Sequence, residues 1–141
     1  NSKLLIGSLK DYVHLIEFNG GISSSSVIPN PIDHDHNEHD NSDDSNTTSD
    51  YHKFGESVYV GDNNLYVAAL NYDNGKGKVF VYPFVQSSNK LNDNSWTNPY
   101  ELQPNNISDN SHFGYKFSES GNEISISTFN QKTIYNYSLW Y

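Results

Sequence analysis

The feature that most constrains this chain is a repeat. Ser49-Asp50-Tyr51-His52-Lys53-Phe54-Gly55 aligns without a gap on Ser108-Asp109-Asn110-Ser111-His112-Phe113-Gly114. The same offset then carries Val58 onto Phe117, Leu65 onto Ile124, Val67 onto Ile126, Leu70 onto Phe129 and Asn71 onto Asn130. The start of the chain enters this register part-way through a unit, with Leu4, Ile6 and Leu9 matching Leu65, Val67 and Leu70. A period of about 60 residues lies in the range of propellers and arrays, whose units bury their apolar faces against one another.

Each unit reads as short strands. Phe54 to Val60 is one, Asp62-Asn63-Asn64 a turn, and Leu65 to Leu70 the next, alternating at the strand period through Leu65, Val67 and Ala69. Asn74-Gly75-Lys76-Gly77 supplies turn chemistry before a third strand, Lys78 to Phe84, to which Tyr12–Phe18 and Ile134–Leu139 correspond. A weaker fourth strand is expected from Trp96 to Leu102, held to a sheet edge by Pro99. No segment sustains helical periodicity.

Two recurring details favour radial packing of all-β sheets. Small residues stand in register on the second strands, as Gly7-Ser8, Ala68-Ala69 and Ser127-Thr128, where sheets converging on an axis have least room. Phe54-Gly55 and Phe113-Gly114 each set a large apolar anchor beside a residue whose missing Cβ allows close backbone approach. A sandwich would use either device once; radial repetition accounts for their return.

FGESVYVGDNNLYVAAL followed by GKVFVYPF resembles the FG-GAP repeat of integrin alpha-subunit propellers and their relatives, in which Phe-Gly opens each blade. The family's Gly-Ala-Pro is replaced by Ala68-Ala69-Leu70 and Ser127-Thr128-Phe129. Its Asp-rich calcium loop is reduced to residues 61–64 or 119–123, so calcium binding is not carried over. The resemblance implies four-stranded antiparallel β-propeller blades within one domain. Residues 1–32 form a partial blade, 51–104 a complete one, and 105–141 a second partial one. Both ends fall inside a unit, so the chain is expected to be a piece of a longer propeller, its partners including the other blades. The resemblance also implies adhesion at a cell surface.

Composition narrows the partners. The chain of 141 residues has a net charge of -9 and no arginine, so nucleic acid is excluded as a favoured partner. With 34% hydrophobic residues the core is lean, and the 14% aromatic share, mostly Tyr, suits half-buried strands. No window approaches the roughly 18 apolar residues that mark a membrane span. Cysteine and methionine are both absent, which removes thiol chemistry, and the missing start Met marks a mature product or a fragment.

The acidity is concentrated in residues 33–50, a low-complexity loop holding seven acids and no lysine. Within it His34, Asp35, His36 and His39 have the ligand chemistry for weak binding of a divalent transition metal. Such a loop has no visible scaffold to fix ligands, and the solvated reading is the stronger one. No other cofactor is expected. Asn46, Asn106 and Asn136 head Asn-X-Ser/Thr sequons. His52 and His112 precede their Phe-Gly pairs and read as exposed loop residues; Asp50 and Asp109, in register, read as acceptors for turn amides.

No nucleophile elbow, phosphate loop or scaffolded carboxylate pair is present. The expectation is therefore a non-catalytic recognition or structural module of an extracellular propeller, binding protein or glycan through rim loops. Two alternatives stand beside it: a fragment of a glycan-acting propeller enzyme with its catalytic residues elsewhere, and a metal-binding surface protein working through residues 33–50.

Overall fold

A computed structural model describes residues 2–6, 12–19, 21–32, 53–83, 99–129 and 133–139. They form ten strands in three antiparallel sheets, each a meander whose neighbours in sequence are neighbours in space. The first sheet contains β1 (Ser2–Ile6), β2 (Tyr12–Asn19) and β3 (Ile22–Pro29). The second contains β4 (Phe54–Val60), β5 (Asn64–Ala69), β6 (Lys78–Pro83) and β7 (Tyr100–Leu102). The third contains β8 (Lys116–Ser120), β9 (Glu123–Ser127) and β10 (Ile134–Ser138).

The sheets stack face to face in chain order, and alternation along β5 explains how. Leu65, Val67 and Ala69 point to one side, where with Phe54, Phe80 and Tyr82 they meet Val13, Leu15 and Ile28 of the first sheet. Tyr66, Ala68 and Leu70 point to the other, where with Val79 and Val81 they meet Ile107, Phe113, Ile124 and Ile126 of the third. All six residues of β5 are buried, as expected for a strand covered on both sides. The third sheet has no such second cover among the described residues. Its inner positions Ile124 and Ile126 are buried, and its outer face carries Ser118, Ser125, Ser127, Asn136 and Ser138.

Most strand expectations agree with these elements. β7 lies at the edge of its sheet, where Pro99 confines it, but begins at Tyr100; residues 96–98 lie outside the described residues. The turn chemistry at 74–77 proves to be a short helical turn, Tyr72–Gly75, with Asp73 and Asn74 at φ 61°. β3, with its run of four serines, has no counterpart in the sequence reading. Its pairing with β2 places Ile28 inward beside Val13, which gives an otherwise polar strand its anchor.

Candidate recognition surface

Both Phe-Gly pairs perform the same local operation. Phe54 and Phe113 are buried, the first between sheets one and two, the second between sheets two and three. Each meets an aromatic residue of its own sheet edge-on: Phe54 meets Phe80 at 5.8 Å, and Phe113 meets Tyr135 at 5.6 Å. The backbone repeats as well. Lys53 and His112 have φ of 56° and 54°, and Gly55 and Gly114 have φ of 95° and 107°. Gly114 and Tyr115 both donate to the Ser127 carbonyl, at 3.1 and 3.0 Å, which is a β-bulge; the β4–β5 register shifts at the equivalent place, between Phe54 and Ser57.

The bulge at Gly114 presses the third sheet against the second. A Cβ on Gly114 would stand 2.6 Å from Ala68 Cβ and 3.0 Å from Val79 Cγ2. The glycine and the small residue of the preceding second strand are therefore two halves of one close contact. The lead into Phe113 is stitched to the helical turn of the second sheet by backbone bonds. Asn110 N donates to Asn74 O, His112 N to Gly75 O and Phe113 N to Lys76 O, at 2.8 to 3.0 Å. Gly77 is indispensable here, since a Cβ would fall 2.4 Å from Phe113 N.

The loops at this end of the stack, residues 70–77, 103–115, 128–129 and 133, make the candidate surface. Every non-glycine residue with positive φ among the described residues lies here or at Lys53, beside it. Backbone held in that region concentrates where geometry has a purpose beyond chain reversal. Exposed Phe129 and Tyr115 meet edge-to-face at 4.9 Å, with the His112 ring 6.4 Å from Phe129. Lys76 Nζ pairs with Asp109 at 3.1 Å and Asp73 at 3.7 Å. Its hydrogen bond to Asp109, with the charges of both acids, raises the Lys76 pKa against the opposing effect of desolvation. The surface is thus aromatic, with charged and amide groups beside it, a composition suited to sugars and peptide surfaces.

One expectation needs correction. His112 is half-buried, not exposed: its Nδ1 lies 2.9 Å from the Leu70 carbonyl, because the positive φ at this residue turns the ring back over the second sheet. Asp109, expected to be structural, is partnered by the Lys76 side chain across the sheet boundary. Asn106 is exposed at φ 61°, and Asn136 is exposed on β10 with its Oδ1 accepting from Ser125 Oγ at 2.6 Å. His34, Asp35, His36, His39, Asn46, Asp50 and His52 lie outside the described residues.

Among the described residues no three His, Asp or Glu side chains gather as a metal site, and no helix is long and apolar enough to cross a membrane. The sequence reading gave Lys76 and Gly77 only as turn chemistry and Phe129 only as a repeat match, and did not name Tyr115. The signal for Phe129 was the aligned change from Leu70, an aliphatic residue replaced by an aromatic one. In comparison with known families, curated proteins and solved structures, the chain matches none.

Proposed function

We propose that the three stacked sheets are successive blades of a β-propeller, and that the protein is a non-catalytic recognition or structural module of an extracellular or cell-surface protein. One observation carries this reading: two successive units open on the same Phe-Gly bulge, and each Phe fills the space between its own sheet and the one before. That is a head-to-tail relation between sheets, which closes into a ring when repeated with a constant turn. Recognition is assigned to the loop end bearing Tyr115, Phe129, His112 and the Lys76–Asp109 pair, with a protein or glycan as ligand. Aromatic faces stack on the apolar faces of sugar rings, and neighbouring polar groups supply direction.

Two measurements test the reading. The full sequence of the native polypeptide is expected to contain further Phe-Gly units at the same spacing; a monomeric native chain ending at Tyr141 contradicts the ring. Binding of the immobilised protein to panels of glycans and extracellular proteins is expected to give a hit that Phe129→Ala weakens at least tenfold. A ligand whose affinity is indifferent to Phe129→Ala, Tyr115→Ala and Asp109→Ala removes this surface from consideration.

A further inference from the structure

The repeat carries a second mark beside Phe-Gly. Asn46-Thr47-Thr48 and Asn106-Ile107-Ser108 each run into the Ser-Asp lead of a Phe-Gly pair, so an Asn-X-Ser/Thr sequon returns at the same place in the unit. Asn106 shows what that place offers. It stands in the turn that follows β7 with φ 61°, a left-handed conformation that asparagine tolerates better than most residues. Ile107 is turned into the core between the second and third sheets and is 7% exposed, whereas Asn106 and Ser108 on either side of it are exposed. The amide and the hydroxyl of the sequon therefore both reach solvent, and among the described residues neither has a hydrogen-bond partner.

The turn is held by groups other than these two side chains. Gln103 Nε2 donates to Gly77 O at 2.9 Å on one side; on the other, Ser111 Oγ donates to Ser108 O at 2.8 Å and Asn110 N to Asn74 O at 3.0 Å. A bulky group on the Asn106 amide thus displaces no contact among the described residues. It also stays clear of the aromatic loops. Asn106 follows β7 at one edge of the four-stranded sheet, while the Tyr115 carbonyl accepts from Ser57 Oγ of β4 at the other. The other described sequon is less open. Asn136 Oδ1 accepts from Ser125 Oγ at 2.6 Å in mid-strand, and the aligned Val81 of the second sheet is covered by the sheet that follows.

We propose that Asn106 is an N-glycosylation site, taking an oligosaccharide from a polyprenyl diphosphate donor. Asn106 Nδ2 forms a bond to C1 of the sugar as the C1–O bond to the carrier breaks. The diphosphate leaves with the electron pair, and one amide proton passes to a base of the transferase. The Ser108 hydroxyl is the group by which the acceptor amide is recognised. Transfer takes place on the extended chain, and the fold has then to leave the sugar in water, as the exposed turn does. The glycan lies beside β7, a three-residue strand at the edge of its sheet whose Tyr100 is 67% exposed, and covers that edge with water-binding groups. The proposal rests on the extracellular reading, since only a chain that enters a secretory compartment meets this donor.

Two preparations separate the proposal from that reading: the native protein, and the same chain behind a secretion leader in eukaryotic cells. In both, peptide N-glycosidase in heavy-oxygen water is expected to convert Asn106 to a labelled aspartate, read by peptide mass spectrometry. In the leader-directed chain Ser108→Ala is expected to abolish the label, with unchanged far-ultraviolet circular dichroism because the residue 108 carbonyl still accepts from Ser111 Oγ. Ser108→Thr is expected to keep it. A leader-directed chain without label at Asn106 overturns the proposal, as does a label that persists in Ser108→Ala, which is then spontaneous deamidation. Native protein labelled at another sequon but not at Asn106 overturns it and leaves the extracellular reading standing. Label in the leader-directed chain with none on the native protein overturns it through that reading, since the acceptor is then competent and never meets the donor.

Discussion

The second and third sheets are built from aligned residues, yet they handle water in opposite ways. Val67 and Tyr66 in β5 are both fully buried, on opposite faces, whereas in β9 the aligned Ile126 is buried and Ser125 is not. Ala68 and Val81, pressed under the third sheet, align with Ser127 and Asn136 on an outer face. One unit is thus covered on both faces and the other carries a polar outer face among the described residues, except at one end, where Phe129 and Ile134 are 51% and 62% exposed. The lesson is that face polarity, read strand by strand, reports a unit's position in the stack, while the Phe-Gly mark reports only where the unit begins.

The largest expected effect breaks the comparison at its common point. Phe54→Ala and Phe113→Ala each empty a buried site between two sheets, and each is expected to cost about 3 to 5 kcal/mol in denaturant unfolding. Ser125→Ala and Ser118→Ala, on the outer face of the third sheet, are expected within about 0.5 kcal/mol of the unaltered protein. Equal costs at inner and outer positions would mean that the sheets do not stack in this order.

A smaller effect sharpens the role of the glycine. Gly114→Ala meets both an unfavourable φ and the Ala68 methyl, and is expected to cost about 2 to 3 kcal/mol. Ala68→Gly in the same chain is expected to return the steric part and leave the conformational part. Measured by a double-mutant cycle, additivity within about 0.5 kcal/mol would deny that the two residues touch.

Much of this was legible in the sequence, for reasons specific to particular residues. β4 and β5 were readable because Phe54 to Val60 and Leu65 to Leu70 combine β-branched and aromatic residues with a short Asp-Asn turn. Ala68 was recognisable as a point of close approach because the small pair recurs in register. β3 was hidden because Ser23 to Ser26 carry no periodic signal, and its place depends on pairing with β2. The position of His112 was hidden for another reason. Its contact with Leu70 O depends on a positive φ that only a few per cent of non-glycine residues adopt, and no local pattern announces it.

Alkaline titration reports on buried tyrosine hydroxyls, Tyr82 in the second sheet and Tyr137 in the third, both raised by burial. Burial raises the pKa of the Tyr82 hydroxyl well above its ordinary value, with the Glu101 charge adding to the shift. A group whose pKa is raised by folding contributes stability below its unfolded pKa and loses it as pH climbs towards the folded one. Stability should therefore hold up to about pH 9 and fall above about pH 10, where an unfolded tyrosine ionises. Tyr82→Phe is expected to flatten that fall; an unchanged profile would assign it to other groups.

The smallest effect concerns the surface pair. Lys76→Ala and Asp109→Ala are expected to leave stability nearly unchanged, because the pair is solvent-accessible and salt screens it. A larger loss in low-salt melts would mean that this contact, and not the Phe-Gly bulge, fastens the third sheet to the second.

The central claim is that the glycine of the third unit, Gly114, is pressed against the small residue Ala68 of the unit before it. Nuclear Overhauser contacts from the Ala68 methyl group test it most directly. The account predicts cross-peaks from that methyl group to the Gly114 α-protons, alongside contacts from the Val79 methyls to the same protons. Their absence, in a spectrum that keeps the β4–β5 and β5–β6 cross-peaks, would contradict it.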